Sequence, residues 1–375
     1  MKKLLPVLGG LLLVVGLTCS SSPSNDSRDL PAAVEDLGAP DLSMTASVDL
    51  RGPIPDLLSP ADLHPPPARD WAMYPAVLQV DSGVDVFALG DVHGDYDTAA
   101  KLLAAAKIIA AVPANPTSVT WTAGTSILVC TGDLIDKYTQ NLALLDFMMA
   151  LRGAAAAAGG QVIVTMGNHE AEFLADPTIF NTKAAAFVAE LQAAGIAPED
   201  VGAAKNAYGV FLRSLPFAAR VRDWFFSHAG NTAGRSMAKL IQDLQDGVDA
   251  YGFSAPVLAS TDSILEARLS SAPPWWELPG QDPETVLGTY SMALGVAHIV
   301  VGHQPGKVSF SDGTSRNADA MFQKFGRIFL IDVGMSRGVD ASGGPLLKIH
   351  KDPATSTTTA TMMDAAGGST LLWQG

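Results

Sequence analysis

The sequence is poor in cysteine and in charged residues, basic ones above all. Its 375 residues include two cysteines, and charged residues make up 17% of the chain against 48% for hydrophobic residues. So low a charge content argues against a disordered protein and predicts a large buried core. Acidic residues outnumber basic residues by 38 to 24, which gives a formal net charge of −14. Such a surface repels phosphate backbones, so nucleic acid is not expected as a partner.

One long apolar run, residues 4–17, follows two lysines near the start of the chain. It is shorter than a membrane-spanning helix requires, and it predicts an export signal over residues 1–19. Gly16–Cys19, followed by small polar residues, resembles a bacterial lipoprotein signal in which Cys19 is lipidated. We therefore expect an exported protein of the bacterial cell envelope, anchored to the membrane only by this lipid and facing the periplasm or the exterior. An ordinary cleaved secretory signal is the alternative.

Aromatic residues are absent before Trp71, and the segment 20–75 differs in composition from all that follows. The dipeptide Asp-Leu recurs six times in it at irregular intervals of five to eight residues, and eight prolines lie between Pro31 and Pro67. Prolines and like charges keep a chain extended. We expect residues 20–75 to form a disordered tether, with a docking role for the Asp-Leu units as the alternative.

From about residue 76 the pattern becomes that of a folded domain. Near-continuous apolar runs alternate with alanine-rich stretches, which indicates an α/β fold whose sheets are buried on both faces. The strand candidates are Val84–Leu89, Ile127–Cys130, Val162–Met166, Trp224–Phe226, Ile299–Val301 and Ile328–Ile331. The helix candidates are Thr98–Ala111, Leu142–Ala158 and Thr182–Ala194.

Five of these apolar runs end in residue types that bind metals. The motifs that follow them are Gly-Asp-Val-His-Gly at 90–94, Gly-Asp-Leu-Ile-Asp at 132–136, Gly-Asn-His-Glu at 167–170, Ser-His-Ala-Gly at 227–230 and Gly-His at 302–303. In open α/β sheets, ligands bind at the carboxyl ends of the strands. We therefore expect one crevice to contain Asp91, His93, Asp133, Asn168, His228 and His303.

This ligand set combines carboxylates, imidazoles and an amide without a thiolate, which suits Mn, Fe or Zn. A pair of such ions needs a carboxylate that bridges them, and it can clamp both oxygens of a phosphoryl displacement. A single Gly-Asp or Asn-His pair occurs by chance, and a lone histidine at a strand end is more often part of the core. Five motifs in order at strand ends favour a metal site.

The ordered motifs resemble those of the calcineurin-like phosphoesterases. The run Phe325–Ser336 and the residues Trp121–Gly124 are similar to the Shewanella-like branch of the phosphoprotein phosphatases in particular. The resemblance implies two packed mixed β-sheets flanked by helices, a four-layer α/β/β/α arrangement. It places the catalytic domain at 76–375 with a cap region at about 231–296.

The resemblance also implies a role for each matched residue. Asp91 and His93 hold the first metal, Asp133 bridges, and Asn168, His228 and His303 hold the second. The nucleophile is a hydroxide that bridges the two metals, His169 is the general acid on the leaving oxygen, and Asp136 orients His169.

One position departs from the family pattern. The second motif of the family usually ends in Asp-Arg-Gly, and here it reads Asp136-Lys137-Tyr138. Lys137 keeps the charge for binding substrate phosphate but loses the planar fork of arginine. A second arginine that contacts phosphate is expected from the cap region, with Arg235 and Arg268 as the candidates. Trp275-Trp276 is either core or a substrate platform.

The sequence thus predicts a metal-dependent phosphomonoester hydrolase, with a phosphorylated protein as the favoured substrate. A phosphatase or pyrophosphatase for nucleotides or other small phosphoesters is the alternative enzyme, because such relatives share the metal motifs. A catalytically weak surface lipoprotein that binds a partner is the alternative of another class. The sequence does not specify an oligomeric state.

Overall fold

The computed structural model describes residues 69–81, 83, 85–269 and 273–375. The predicted export signal, Cys19 and the tether up to residue 68 lie outside these residues. Within the described part, no helix combines the length and apolar character needed to cross a membrane.

The described residues contain all six predicted strands and all three predicted helices in the expected order, together with further strands and helices that the sequence pattern does not predict. The strands are β1 (Val77–Val80), β2 (Asp85–Leu89), β3 (Ile127–Cys130), β4 (Gln161–Val164), β5 (Ala218–Val221), β6 (Trp224–Ser227), β7 (His298–Val301), β8 (Val308–Ser309), β9 (Ser315–Arg316), β10 (Phe322–Lys324), β11 (Ile328–Leu330), β12 (Pro345–Lys351), β13 (Thr358–Asp364) and β14 (Ser369–Gln374). The helices are α1 (Tyr96–Ala105), α2 (Asn141–Ala157), α3 (Asn168–Ala175), α4 (Ala185–Ala193), α5 (Pro198–Gly202), α6 (Ala207–Ser214), α7 (Met237–Tyr251), α8 (Pro256–Ala259) and α9 (Pro283–Leu294), with 3-10 turns at Thr182–Ala184 and Gly252–Ser254.

Two six-stranded mixed sheets form the centre of the fold. The first has the order β1-β5-β6-β7-β11-β10 and the second β14-β13-β12-β2-β3-β4. In the second sheet, β2, β3 and β4 are parallel neighbours. In the first, β6, β7 and β11 are parallel neighbours. Each parallel set therefore brings several carboxyl ends to one edge of its sheet.

Alternation along the strands explains why the sheets pack face to face. On β2, Val86 and Ala88 join a core cluster that also contains Phe226 and Val300 of the other sheet. Phe87, the intervening residue, packs into the larger cluster that the helices share. Successive strand residues point to opposite faces, so each sheet has one face on its partner and the other on helices. The predicted calcineurin-like phosphoesterase architecture is confirmed.

The predicted helices and strands agree with the structure except near their ends. The first helix ends at Ala105 rather than Ala111, since Lys107 has φ +58° and Ile109 pairs with Trp121. The third predicted helix begins with a 3-10 turn before α4. Strands β12 to β14 were not predicted, because polar residues interrupt or flank their short apolar runs.

Residues 69–75, which the composition assigns to the tether, contact the folded domain. The Arg69 guanidinium donates to the carbonyl oxygens of Tyr74, Arg213 and Leu215, each at 2.9 Å. It also lies 5.0 Å from the ring of Trp71, whose indole nitrogen donates to Asp249 at 3.0 Å. These contacts attach the described start of the chain to α6 and α7.

Candidate metal centre

The metal-binding residue types lie where the strands end, at the edge shared by both sheets. Asp91 and His93 follow β2, Asp133 and Asp136 follow β3, and Asn168 and His169 open α3 after β4, while His228 follows β6 and His303 follows β7. All eight side chains are buried. The structure brings together the residues that the motifs single out.

One group of donor atoms surrounds the imidazole of His228. Its Nε2 atom lies 2.9 Å from Asn168 Oδ1, 2.9 Å from His303 Nδ1 and 3.4 Å from Asp133 Oδ2. The other nitrogen, Nδ1, lies 2.9 Å from the carbonyl oxygen of Thr131. This contact fixes the ring with Nε2 towards the other metal-binding atoms. Asp133, His228 and His303 have ligand atoms within 4.8 Å of one another.

A second group shares Asp133. His93 Nε2 lies 3.5 Å from Asp133 Oδ2, and its Nδ1 lies 3.3 Å from the carbonyl oxygen of Ile135. His169 Nε2 lies 3.9 Å from the same carboxylate oxygen, so His93, Asp133 and His169 also fall within 4.8 Å. Asp91 is outside both groups; its two oxygens accept the backbone N–H of His303 at 3.1 and 3.0 Å.

The spacing of these atoms fits the ions. Metal–ligand bonds of about 2.1 Å place neighbouring ligands roughly 3.0–3.4 Å apart in octahedral or tetrahedral geometry. The contacts around His228 Nε2, at 2.9 to 3.4 Å, and the 3.5 Å contact of His93 fall close to this range.

Burial lowers the pKa of His93 to about 4, and burial with His228 and Arg268 lowers that of His303 to about 3. Both imidazoles are therefore neutral, as ligands must be.

His169 has a carboxylate on each side. Its Nδ1 lies 3.2 Å from Asp136 Oδ2, and its backbone N–H donates to Asp133 Oδ1 at 3.1 Å. Burial lowers the pKa of His169, but Asp133 and Asp136 more than offset this and raise it to about 9. The two carboxylates thus favour the protonated ring, which belongs to the group of His93 and Asp133.

Local backbone strain is concentrated at this centre. Five residues that are not glycine have positive φ angles there: His93 (45°), Asp133 (50°), Asp136 (72°), Lys137 (64°) and His303 (68°). Such conformations cost free energy and persist where the surroundings impose them, typically at functional sites. The loops after β2, β3 and β7 therefore hold their side chains in fixed positions.

A match to a family model agrees with this geometry. The model described as calcineurin-like phosphoesterase matches residues 84–307, more than half of the chain and all five motifs. The chain belongs to the calcineurin-like phosphoesterase family. The family uses divalent metal ions, and the described residues contain two His/Asp groups able to hold them.

Curated relatives match this phosphoesterase over a short stretch. An uncharacterized protein of Schizosaccharomyces pombe is 39% identical over 85 residues, which is 23% of this chain and 24% of the relative. The Shewanella-like protein phosphatase 2 of Arabidopsis thaliana is 34% identical over 83 residues, 22% of this chain and 20% of the relative. The matched part thus spans a quarter or less of these relatives.

Solved structures extend the similarity of fold over most of the chain. A cold-active protein tyrosine phosphatase is 22% identical, with a TM-score of 0.59 and coverage of 80% of both chains. The cold-active protein-tyrosine phosphatase of a psychrophile Shewanella sp. is 21% identical, with a TM-score of 0.59 over 80% of this chain and 82% of that one. At these identities the comparison concerns the fold.

Several residues that the sequence did not single out hold the metal centre together. The buried Glu170 carboxylate accepts the backbone N–H groups of Asp133, Leu134, Ile135 and Gly167 at 2.7 to 3.1 Å. It therefore joins the loop after β3 to the start of α3. The motif Gly-Asn-His-Glu contained this residue, but only the folded geometry shows its contacts.

Asp332 is a second such residue. Burial raises the pKa of Asp91, and Asp332 and Asp133 raise it further. Asp332 is itself buried, and burial raises its pKa to about 6. The buried Arg316 donates to the carbonyl oxygens of Asp332 at 2.7 Å and Gln304 at 2.6 Å, which ties the ends of β7 and β11 together. This carboxylate-rich surrounding favours a cation.

Lys137 is exposed, and its charge opposes protonation of His169. The adjoining Tyr138 ring lies 4.5 Å from the Arg337 guanidinium, which also binds Asp95 at 2.6 and 2.9 Å. The C-terminal run 334–337 thus supports the loop that carries Lys137. Arg337 was not predicted, because its partners are about 240 residues away in the chain.

The two candidate arginines of the cap region differ in their surroundings. Arg235 donates to Asp243 at 2.8 Å and to the carbonyl oxygen of Thr232 at 3.1 Å. Arg268 is exposed, and its charge contributes to lowering the pKa of His303. Trp276 is fully buried against Phe310, so it belongs to the core rather than to a substrate platform.

Proposed function

We propose that this protein is a binuclear-metal phosphomonoester hydrolase that acts on phosphorylated proteins. The observation that carries the proposal is that His93 on one side and His228 with His303 on the other converge on Asp133, next to the His169–Asp136 pair. Asp91, His93 and Asp133 would hold one ion, and Asp133, Asn168, His228 and His303 the other. Mn, Fe or Zn suits these donors, and two such ions supply Lewis acidity and an activated water.

His169 is proposed as the general acid. Asp136 faces Nδ1, so Nε2 is the nitrogen directed to the metal centre, from which the proton passes to the leaving oxygen. The carboxylate of Asp136 fixes the ring and favours its charged form. We propose that Lys137 and Arg268 bind the phosphate, because both are exposed cations whose charges reach the imidazoles of the centre.

A protein substrate is supported by the proteins that this chain resembles. The relative from Arabidopsis is called a protein phosphatase, and the solved structures are called protein tyrosine phosphatases. We also propose that the protein is exported and lipid-anchored through Cys19, on the residue pattern of its first 24 residues.

The test is a substrate screen of the purified protein with Mn, Fe or Zn supplied. Phosphotyrosine peptides, phosphoserine peptides and nucleotides are compared by kcat/KM. We expect metal-dependent hydrolysis with phosphopeptides preferred. A preference for nucleotides would replace the protein substrate by a small phosphoester, and no hydrolysis of any substrate would refute the enzyme.

A further inference from the structure

A groove with a volume of about 400 Å³ lies beside the metal centre. We call it the acidic groove and define it by Glu172, Asp176, Phe180, Phe253, Leu258 and Glu266. It is formed by α3, the segment that follows α3, and the cap residues 253–266. None of these residues is assigned a role in the proposed chemistry.

Two segments connect the groove to the metal centre. Glu172 lies three residues after His169 on α3, which places both on one helix face about 4.5 Å apart along the axis. Glu266 lies between two hydrogen bonds that join its segment to Ala229 and Gln304, the residues that follow His228 and His303. The carbonyl oxygen of Ile264 accepts the N–H of Ala229, and the N–H of Leu269 donates to Gln304 at 2.6 Å.

The charge of the groove is unbalanced. It contains three carboxylates, Glu172, Asp176 and Glu266, and one cation, Lys183. Lys183 is bound to Glu172 at 2.7 Å. Among the described residues, no hydrogen-bond donor or salt-bridge cation contacts the Glu266 carboxylate, which is half-buried. A positive group that entered the groove would therefore meet a carboxylate that has no direct partner among the described residues.

The remaining walls suit a long aliphatic stem. Phe253 and Leu258 are buried and line the interior, whereas the Phe180 ring is 81% exposed at the rim. Lysine and arginine side chains lay their methylene groups on such surfaces, and their charged ends also interact with aromatic faces. The groove thus offers both parts of the surface that a basic side chain needs.

We propose that the acidic groove binds a lysine or arginine side chain of a phosphopeptide substrate, within about three residues of the phosphorylated residue. Glu172 lies one helical turn from His169, and three residues of an extended peptide span about 10 Å. The inference rests on the proposed function, which it deepens by naming the sequence context of the substrate.

The test compares phosphopeptides that differ only at the positions flanking one phosphorylated residue, with Lys, Ala or Glu there. We expect kcat/KM to be about three- to tenfold higher for Lys than for Ala, mainly through KM, and to fall further for Glu. Higher salt should reduce this preference. Hydrolysis of p-nitrophenyl phosphate, which leaves the groove empty, provides the reference activity.

Variants of Glu266 give the decisive comparison. Glu266→Gln should abolish most of the preference while it keeps the reference activity, and Glu266→Lys should reverse the preference. Glu284→Gln, an exposed acidic residue on α9 outside the groove, is the matched control and should keep the wild-type preference. Lys183→Ala should strengthen the preference, because it releases Glu172.

The outcomes separate the inference from the proposed function. Equal kcat/KM for the Lys and Glu peptides, with intact reference activity, overturns the groove assignment alone. A wild-type preference that survives in Glu266→Gln also overturns it. Absence of hydrolysis of every substrate, p-nitrophenyl phosphate included, overturns the proposed function and this inference with it.

Discussion

Replacement of His169 by glutamine shows whether this residue is a metal ligand or the general acid. His169 falls within one donor group with His93 and Asp133, which would make it a metal ligand. Its Nδ1 also lies 3.2 Å from Asp136, whereas its Nε2 is 3.9 Å from Asp133, farther than the 3.5 Å contact of His93. We expect His169→Gln to keep the metal and to lose the proton donor.

The expected loss of rate in His169→Gln depends on the protonation state of His169. With its pKa raised to about 9 by Asp133 and Asp136, His169 favours the protonated form at pH 7, the form that the reaction needs. General-acid help amounts to roughly a hundredfold to ten-thousandfold in rate, or about 2.7–5.5 kcal/mol. A poor leaving group such as the serine oxygen should show this full loss. With p-nitrophenol, which departs without a proton, the loss should be much smaller.

The assay measures kcat for both leaving groups and the metal content of the same preparation. The pH dependence adds an independent check on the same residue. Because the pKa is raised, the acid form is present at neutral pH and is lost as pH rises through about 9. Asp136→Asn removes an attraction that favours this form, so the basic limb should move to lower pH.

Two results would contradict the role of His169 as general acid. Loss of metal in His169→Gln would identify the residue as a ligand. An equal loss of rate with serine phosphate and p-nitrophenyl phosphate would show that it does not protonate the leaving oxygen.

Three further predictions concern other parts of the chain. Lys137→Ala should raise KM several-fold for all substrates alike, because a phosphate contact does not sense the leaving group. Lys137→Arg should not show this loss of affinity, because arginine keeps the charge. Steady-state kinetics with two leaving groups checks both variants. Arg69→Ala should lower Tm by about 5 °C in calorimetry, because it removes several charged hydrogen bonds to carbonyl oxygens. Cys19→Ala should move the mature protein from the detergent phase to the aqueous phase; a wild-type protein found only in the aqueous phase would contradict lipidation.

The central strands and the residues at their carboxyl ends could be predicted because both signals are local. A run such as Ile127–Cys130 is apolar throughout, and the polar residue after it must then lie at the sheet edge. The outer strands β12 to β14 lack such a run. Polar residues interrupt or flank their short apolar runs, and the pairing of β12 with β2, more than 250 residues earlier in the chain, joins them to the sheet.

The surroundings of the centre could not be predicted because they depend on contacts between distant segments. Asp332 reaches Asp91 only because β11 pairs with β7. The different environments of Arg235 and Arg268 depend on how the cap region packs. The acidic groove likewise joins two segments about 90 residues apart, and no motif marks either of them.

The metal content of the purified protein tests the central claim most directly. We expect about two transition-metal ions per chain by elemental analysis of protein purified without chelator and supplied with Mn, Fe or Zn. Asp133→Asn should lose both ions, because Asp133 belongs to both donor groups, while His93→Ala should mainly weaken one. A stoichiometry near zero in the wild-type protein, or an Asp133→Asn variant that keeps two ions, would contradict the binuclear centre.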